Sequence, residues 1–184
     1  MNETTRTTVS VAALALAALI LAPLAPAGVD AIGVRDAQDL DHGVDLRSVE
    51  VRHGARNLVV TTTHADLKES FRSGSSGVVL LDTDPTDTGP EYVFVGGYFV
   101  GTDYALLRTD GFANKLWGEP VEGSYRMGVD YDAEQVRMRM SRETLGSPEQ
   151  VRVAVRVAGS RTDGSTTRFD WLVGPRVFTD WVAQ

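Results

Sequence analysis

Four carboxylates crowd one stretch of the 184-residue chain: Asp82, Asp84, Asp87 and Glu91 fall within ten residues, and no basic residue shares the segment. Calcium takes about six to eight hard oxygen ligands converging on one point, and alternate aspartates on a tight loop can supply them. Pro85, Gly89 and Pro90 bend the segment just after the apolar run Val78–Leu81. The spacing is not that of an EF-hand loop, because the third Asp is displaced by one position and no helical flanks are predicted. Two readings stand: a Ca2+ site on Asp82, Asp84, Asp87 and Glu91, or a solvated loop whose Asp and Thr side chains hydrogen-bond their own backbone.

Aromatic residues form the second candidate set. Tyr92, Tyr98 and Tyr104 lie on adjacent predicted strands with Phe99, and Trp117 follows in a loop. Exposed Trp and Tyr rings are apolar platforms with polar edges, on which pyranose rings stack. The expected ligand-binding residues are therefore Trp117, Tyr92, Tyr98 and Tyr104, against the alternative that these rings fill a core. Trp171, Phe178 and Trp181 are expected to pin the last strands. Arg126, Arg137, Arg139, Arg152 and Arg156 project from alternating runs and are expected to form a row on one sheet face. Such a row is either a solvated, cross-paired surface or a contact for an anionic polymer.

Arrangements for catalysis are poor. Gly74-Ser-Ser-Gly77 lacks the spacing of a nucleophile elbow. His42, His53 and His64 recur at eleven-residue intervals, without the i, i+4 spacing of a helical zinc site. Pairs of carboxylates for glycoside hydrolysis are defined in space rather than in sequence, so they cannot be read here. The chain is expected not to be an enzyme. Its formal charge of −7 argues against nucleic acid as a partner, since phosphate neutralisation needs a net or local excess of Lys and Arg. The absence of cysteine removes disulfides, thiol catalysis and thiolate zinc sites.

The elements that must position these residues are strands. In Val151–Ala158 the four valines fall on one face, while Arg152, Ala154, Arg156 and Ala158 fall on the other, the period-two pattern of a half-buried strand. Val136–Met140 repeats it, and Tyr125–Tyr131 precedes it across Asp132-Ala-Glu134, which predicts a hairpin. Leu46–Val51 and Leu58–Thr63 predict another. Val78–Leu81, Tyr92–Val100, Tyr104–Arg108, Thr167–Val173 and Val177–Val182 complete about ten short strands, with single turns of helix within Ala65–Phe71 and Arg142–Leu145. This spacing, without a βαβ rhythm, predicts an all-β, antiparallel, jelly-roll-like β-sandwich over residues 44–184.

The N-terminus reads as an address. Val11–Ala22 is an apolar run of twelve residues, and Ala25-Pro26-Ala27 and Val29-Asp30-Ala31 offer small residues for a peptidase. A hydrophobic core this short with such a site predicts a signal peptide over 1–27, ending at Ala27 or Ala31, rather than a membrane span. The expected product is secreted, with no membrane span after signal removal. Residues 28–43 read as a polar lead-in.

Ser48–His53, Leu58–Thr63 with Ala65-Asp66-Leu67, Leu81–Asp84, Gly89–Tyr92, Val129-Asp-Tyr131 and Arg142-x-x-Leu-Gly-x-Pro148 occur in an order that resembles a group of uncharacterised secreted proteins of high-GC Gram-positive bacteria. Their architecture is similar to the DOMON and family 9 carbohydrate-binding-module type of β-sandwich. The resemblance spans Asp45 to about Val157. It implies a cysteine pair that brackets the tyrosine hairpin, at positions that Ser124 and Thr144 occupy here. By analogy the sandwich relatives bind sugars or haem, and no axial haem ligand pair is recognisable in this chain. The expectation is a secreted, non-catalytic binding domain for a carbohydrate or cell-wall glycan. The alternative is a structural or protein-interaction domain of the cell envelope, with a hydrolase behind both.

Overall fold

The computed structural model describes residues 30–160 and 167–184. The expected signal peptide over 1–27 lies outside the described residues. Among the described residues twelve strands run in chain order: β1 (Asp30–Arg35), β2 (Leu46–His53), β3 (Asn57–His64), β4 (Ser76–Asp82), β5 (Tyr92–Gly97), β6 (Tyr104–Thr109), β7 (Trp117–Pro120), β8 (Tyr125–Asp130), β9 (Gln135–Ser141), β10 (Gln150–Ser160), β11 (Thr167–Trp171) and β12 (Val182–Ala183). Every pairing is antiparallel. One sheet has the order β1-β2-β3-β9-β8, and the other β11-β10-β4-β5-β6-β7 with β12 added to β10. The two pack face to face as an all-β sandwich, and no helix among the described residues is long and apolar enough to cross a membrane.

Two strands were not legible in the sequence. Residues 28–43, expected as a polar lead-in, contain β1, which pairs with β2 from Asp30↔His53 to Arg35↔Ser48. It is an edge strand with its outward positions in water, so its sequence DAIGVR lacks a strong apolar period. Trp117, expected in a loop, opens the short edge strand β7, which pairs with β6 at Thr109. The expected strand Val177–Val182 shrinks to the two residues of β12. The helical content of the described residues is three single 3-10 turns, at Phe71–Ser73, Asn114–Leu116 and Glu143–Leu145.

The alternation read from the sequence sets the inner core. Val151, Val153, Val155 and Val157 of β10 and Val136, Met138 and Met140 of β9 are all fully buried between the sheets. Burying a side chain of this kind is worth about 1.5–3 kcal/mol, so these strands alone supply a large share of the cohesion. The turn after Asp130 is closed by its own carboxylate, which accepts from Ala133 N at 3.0 Å. Glu134 takes a positive φ of 55° in this turn.

The three histidines are each held by backbone groups, His42 and His64 on either side of Val44 and His53 on Val182. His42 Nε2 lies 3.1 Å from Ser73 O and 3.2 Å from Ser160 O, while its Nδ1 accepts from Val44 N at 3.0 Å. His53 donates through Nδ1 to Val182 O at 3.1 Å. His64 donates through Nδ1 to Val44 O and accepts at Nε2 from the Thr62 hydroxyl, both at 2.7 Å. Its ring also meets Tyr98 edge-on at 5.2 Å. A carbonyl only accepts, so these partners hold His64 as the neutral Nδ1–H tautomer.

Ser124 and Thr144 are neighbours. Ser124 N donates to Thr144 Oγ1 at 2.9 Å, and Ser141 Oγ lies 3.0 Å from the same oxygen. Hydroxyl hydrogen bonds thus tie the ends of the β8–β9 hairpin. The double variant Ser124→Cys/Thr144→Cys is expected to oxidise spontaneously and to gain about 3 kcal/mol over its reduced form by closing a loop of this length. Thiol titration and melting with and without reductant measure both.

Burial draws His64 down to about 4 and lowers His53 in the same direction. The unfolded chain takes up protons below about 6.5, whereas folded His64 resists until about 4. Its contribution to stability is therefore complete above that window and is lost as pH falls through it. Between pH 7 and pH 4.5 the urea midpoint of the parent should fall relative to that of His64→Gln.

Candidate functional site

The outward face of the seven-stranded sheet is not a solvated surface. Leu80, Val93 and Ala154 are buried on it, and Val78, Val95, Leu107, Phe112, Trp117, Trp171 and Phe178 pack around them. The β6–β7 connection and the segment after β11 supply this cover. Phe112 meets Phe178 at 5.2 Å and Trp171 at 6.5 Å. Trp171 and Phe178 thus seal a second apolar layer as well as pinning the end of the chain.

The expected row of five arginines is divided between the two sheets. Arg152 and Arg156 belong to this covered face, where β10 pairs with β4 as Arg152↔Asp82 and Arg156↔Val78. Arg152 reaches Asp82 Oδ2 through Nε at 2.8 Å and through Nη2 at 2.7 Å. Its guanidinium also lies 4.7 Å from the Phe178 ring centre and 4.6 Å from that of Trp181. A charge-assisted pair roofed by two aromatic rings is a structural lock, and both its members are committed.

Arg156 differs. It donates to Asn114 Oδ1 at 3.3 Å and lies 5.3 Å and 5.6 Å from the ring centres of Phe169 and Trp171. Among the described residues it has no carboxylate within 4 Å. Burial draws it below the usual arginine value, while it stays charged at any physiological pH. Beside it opens a groove of about 460 Å3, with Ser76, Val78, Val95 and Ala158 in its floor and Asn114, Trp117 and Phe169 in its walls. This volume is in the range that holds a small ligand. Small residues at Ser76 and Ala158 keep the floor low. Phe169 is 57% exposed, and the Trp117 Nε1–H has no acceptor among the described residues, so packing alone holds that ring.

Of the four aromatic residues expected to bind a ligand, only Trp117 lines this groove. Tyr92 and Tyr98 point between the sheets and are 3% and 0% exposed, which removes them as ligand contacts. The Tyr98 hydroxyl occupies the place where a Cβ on Gly77 would stand, so it is a pillar of the core. Tyr104 is part exposed at the inner rim, stacked on Phe94 at 5.8 Å and edge-on to Tyr125 at 6.2 Å. Strand parity explains the division: Tyr92 and Tyr104 fall on the inward set of β5 and β6, and Val93, Val95 and Leu107 on the outward one. Phe169 escaped notice, and Arg156 was read only as one of the arginine row, because it takes the pairing Ala158↔Phe169 to bring the two together.

The acidic loop does not form a cage. Asp82 is fully buried on Arg152. Glu91 Oε2 accepts from Thr83 N at 2.6 Å and Thr83 Oγ1 at 2.9 Å. Asp84 accepts from Thr86 N and Oγ1 at 2.9 and 2.7 Å, which holds its carboxyl below the ordinary value. Asp87 accepts from Thr88 N at 2.6 Å. Those of Asp84 and Asp87 are the local turn hydrogen bonds of the alternative reading, whereas Asp82 is buried in a long-range ion pair, and the four oxygen sets do not converge.

Carboxylates do converge elsewhere. Asp36, Asp39 and Asp170 each place an oxygen within 4.8 Å of the other two, close enough for one cation to bridge. Asp170 comes from β11 and accepts from Leu46 N at 2.8 Å, joining the two sheets. Asp36 accepts from Val173 N at 3.0 Å. Residues so distant in sequence carry no local signal. Burial first, then the charges of Asp36, Asp39 and Asp45, push Asp170 up to about 6. The stability it contributes is greatest below about 4 and falls as pH rises through about 6. In EDTA, Asp170→Asn keeps an acceptor for Leu46 N and should raise the urea midpoint at pH 7, by a margin that narrows towards pH 4.

No family model matches the chain, and no curated protein is significantly similar to it.

Proposed function

We propose that this protein is a secreted, non-catalytic β-sandwich that binds an extracellular glycan in the groove on the outward face of the seven-stranded sheet. The observation that carries the reading is Arg156, a half-buried guanidinium with no carboxylate partner among the described residues, beside the exposed Phe169 ring in a groove that Trp117 also lines. Apolar ring faces accept the C–H surface of a pyranose, and a fixed fork of donors beside them orients its hydroxyl or carboxylate oxygens. Arg152, one turn of the strand pattern away, shows what the same side chain does when its charge is already answered by Asp82.

Secretion rests on the apolar run Val11–Ala22 and the small residues after it. A cut after Ala27 leaves β1 whole, whereas a cut after Ala31 removes two of its paired residues.

A glycan array probed with the protein, followed by calorimetry on the best ligand, tests the proposal. Phe169→Ala and Arg156→Gln are each expected to weaken binding about tenfold or more, with little change in melting for Phe169→Ala because its ring is exposed. Absence of binding above background, or binding indifferent to both substitutions, would falsify it.

A further inference from the structure

The outward face of the five-stranded sheet carries charge opposite in sign to the chain as a whole. Arg126 of β8 sits directly across from Arg139 of β9, and Arg137 projects from the same face two residues earlier. Paired positions of this kind are about 5 Å apart and next-but-one positions roughly 7 Å apart. Gly128 is the partner of Arg137, and no atom stands within 4 Å of the place its Cβ would take. The result is an open hollow of about 430 Å3, lined by Arg126, Met127, Gly128, Arg137 and Arg139. A smaller one of about 190 Å3 continues it past Arg126 and Arg139 to Asn57.

Among the described residues none of these three arginines has a carboxylate within 4 Å. The acids on the same face are engaged elsewhere: Glu50 pairs with Arg52 at 2.7 Å, and Asp130 closes its own turn on Ala133 N. Like charges placed directly opposite weaken an antiparallel pair. In a chain with a formal charge of −7 the cluster is not a by-product of a basic composition.

We propose that this face binds the phosphate groups of a linear polyanion, one phosphate seated over Gly128 among Arg126, Arg137 and Arg139. Guanidinium forks match phosphate oxygens, and three forks from three positions can engage a tetrahedral group that offers more oxygens than a carboxylate. A polymer gains from the adjoining hollow, where a second anionic group can sit beside Asn57. The larger hollow has no aromatic side chain in its lining, and the ring of Tyr125 at the smaller one packs edge-on to Phe94 and Tyr104 against the inner core, which favours a phosphate chain over single-stranded nucleic acid, whose bases stack on open rings. The site lies on the opposite sheet from the glycan groove and does not depend on it.

The test is titration of the full chain with inorganic polyphosphate at 50 mM salt. Binding is expected to weaken as salt rises. Arg137→Gln/Arg139→Gln should weaken it at least tenfold, with a salt dependence shallower by about one log unit per log unit of salt for each arginine removed. Arg126→Gln alone should weaken it less, and Arg176→Gln, which removes a distant exposed charge, should leave it unchanged. Urea midpoints equal to or above that of the parent show that the variants fold and that the repulsion is relieved. No binding at 50 mM salt, or binding that survives the arginine substitutions, overturns the proposal. Tighter binding to a sulfated polysaccharide, to polygalacturonate or to single-stranded DNA overturns it in favour of that chemistry.

Discussion

At its centre the strand pair β4–β10 is apolar on both faces, and the rest of the molecule is arranged to cover it. Leu81 and Val153 face the inner core, while Leu80 and Ala154 face outward, and all four are buried. A strand pair of this kind cannot sit at the surface of a two-layer sandwich, because one apolar face would meet water. The inner side is closed by the five-stranded sheet. The outer side is closed by side chains from two connections, with Phe112 and Trp117 from one and Phe178 and Trp181 from the other. The protein therefore has a third, partial layer made of aromatic rings rather than of secondary structure.

Where that cover is complete, charge is locked inside it, and where it stops, a groove is left. Asp82 and Arg152 lie under Phe178 and Trp181, so their attraction acts away from water and gains strength. Four residues along the same strand, Arg156 is flanked rather than roofed, and its neighbours Ala158 and Ser76 are too small to fill the space. The groove is thus the unfinished edge of the aromatic layer. Among the described residues the other sheet has no such layer. Its outward positions face solvent directly, which is why Arg126, Arg137 and Arg139 remain unpaired among the described residues while Arg152 does not.

Legibility followed the range of the interaction. The β9 and β10 faces could be read from Val136, Met138, Met140 and the four valines, because alternation is a property of neighbouring residues. The turn hydrogen bonds of Asp84 and Asp87 were among the two readings of the acidic loop, and both span two residues or fewer. Tyr92 and Tyr98 were misjudged as a ligand platform because aromatic type does not tell which face of a strand is wet. Strand β1 was overlooked because an edge strand needs few apolar residues. The Asp36, Asp39 and Asp170 cluster had no sequence signal at all.

By itself the sequence determined an antiparallel sandwich with a valine- and methionine-rich core and no disulfide, since period-two patterning and the absence of cysteine are local facts. It also determined that Arg126, Arg137, Arg139, Arg152 and Arg156 leave their strands on the side opposite the core residues. Only the tertiary structure decided what each of those arginines meets. Strand order puts two of them beneath or beside an aromatic layer and three on an open face, and strand order is set by long-range burial that no window of sequence contains. The same reason separates Trp117 from the tyrosines it was expected to join: a ring's partners depend on register and sheet, and its type settles neither.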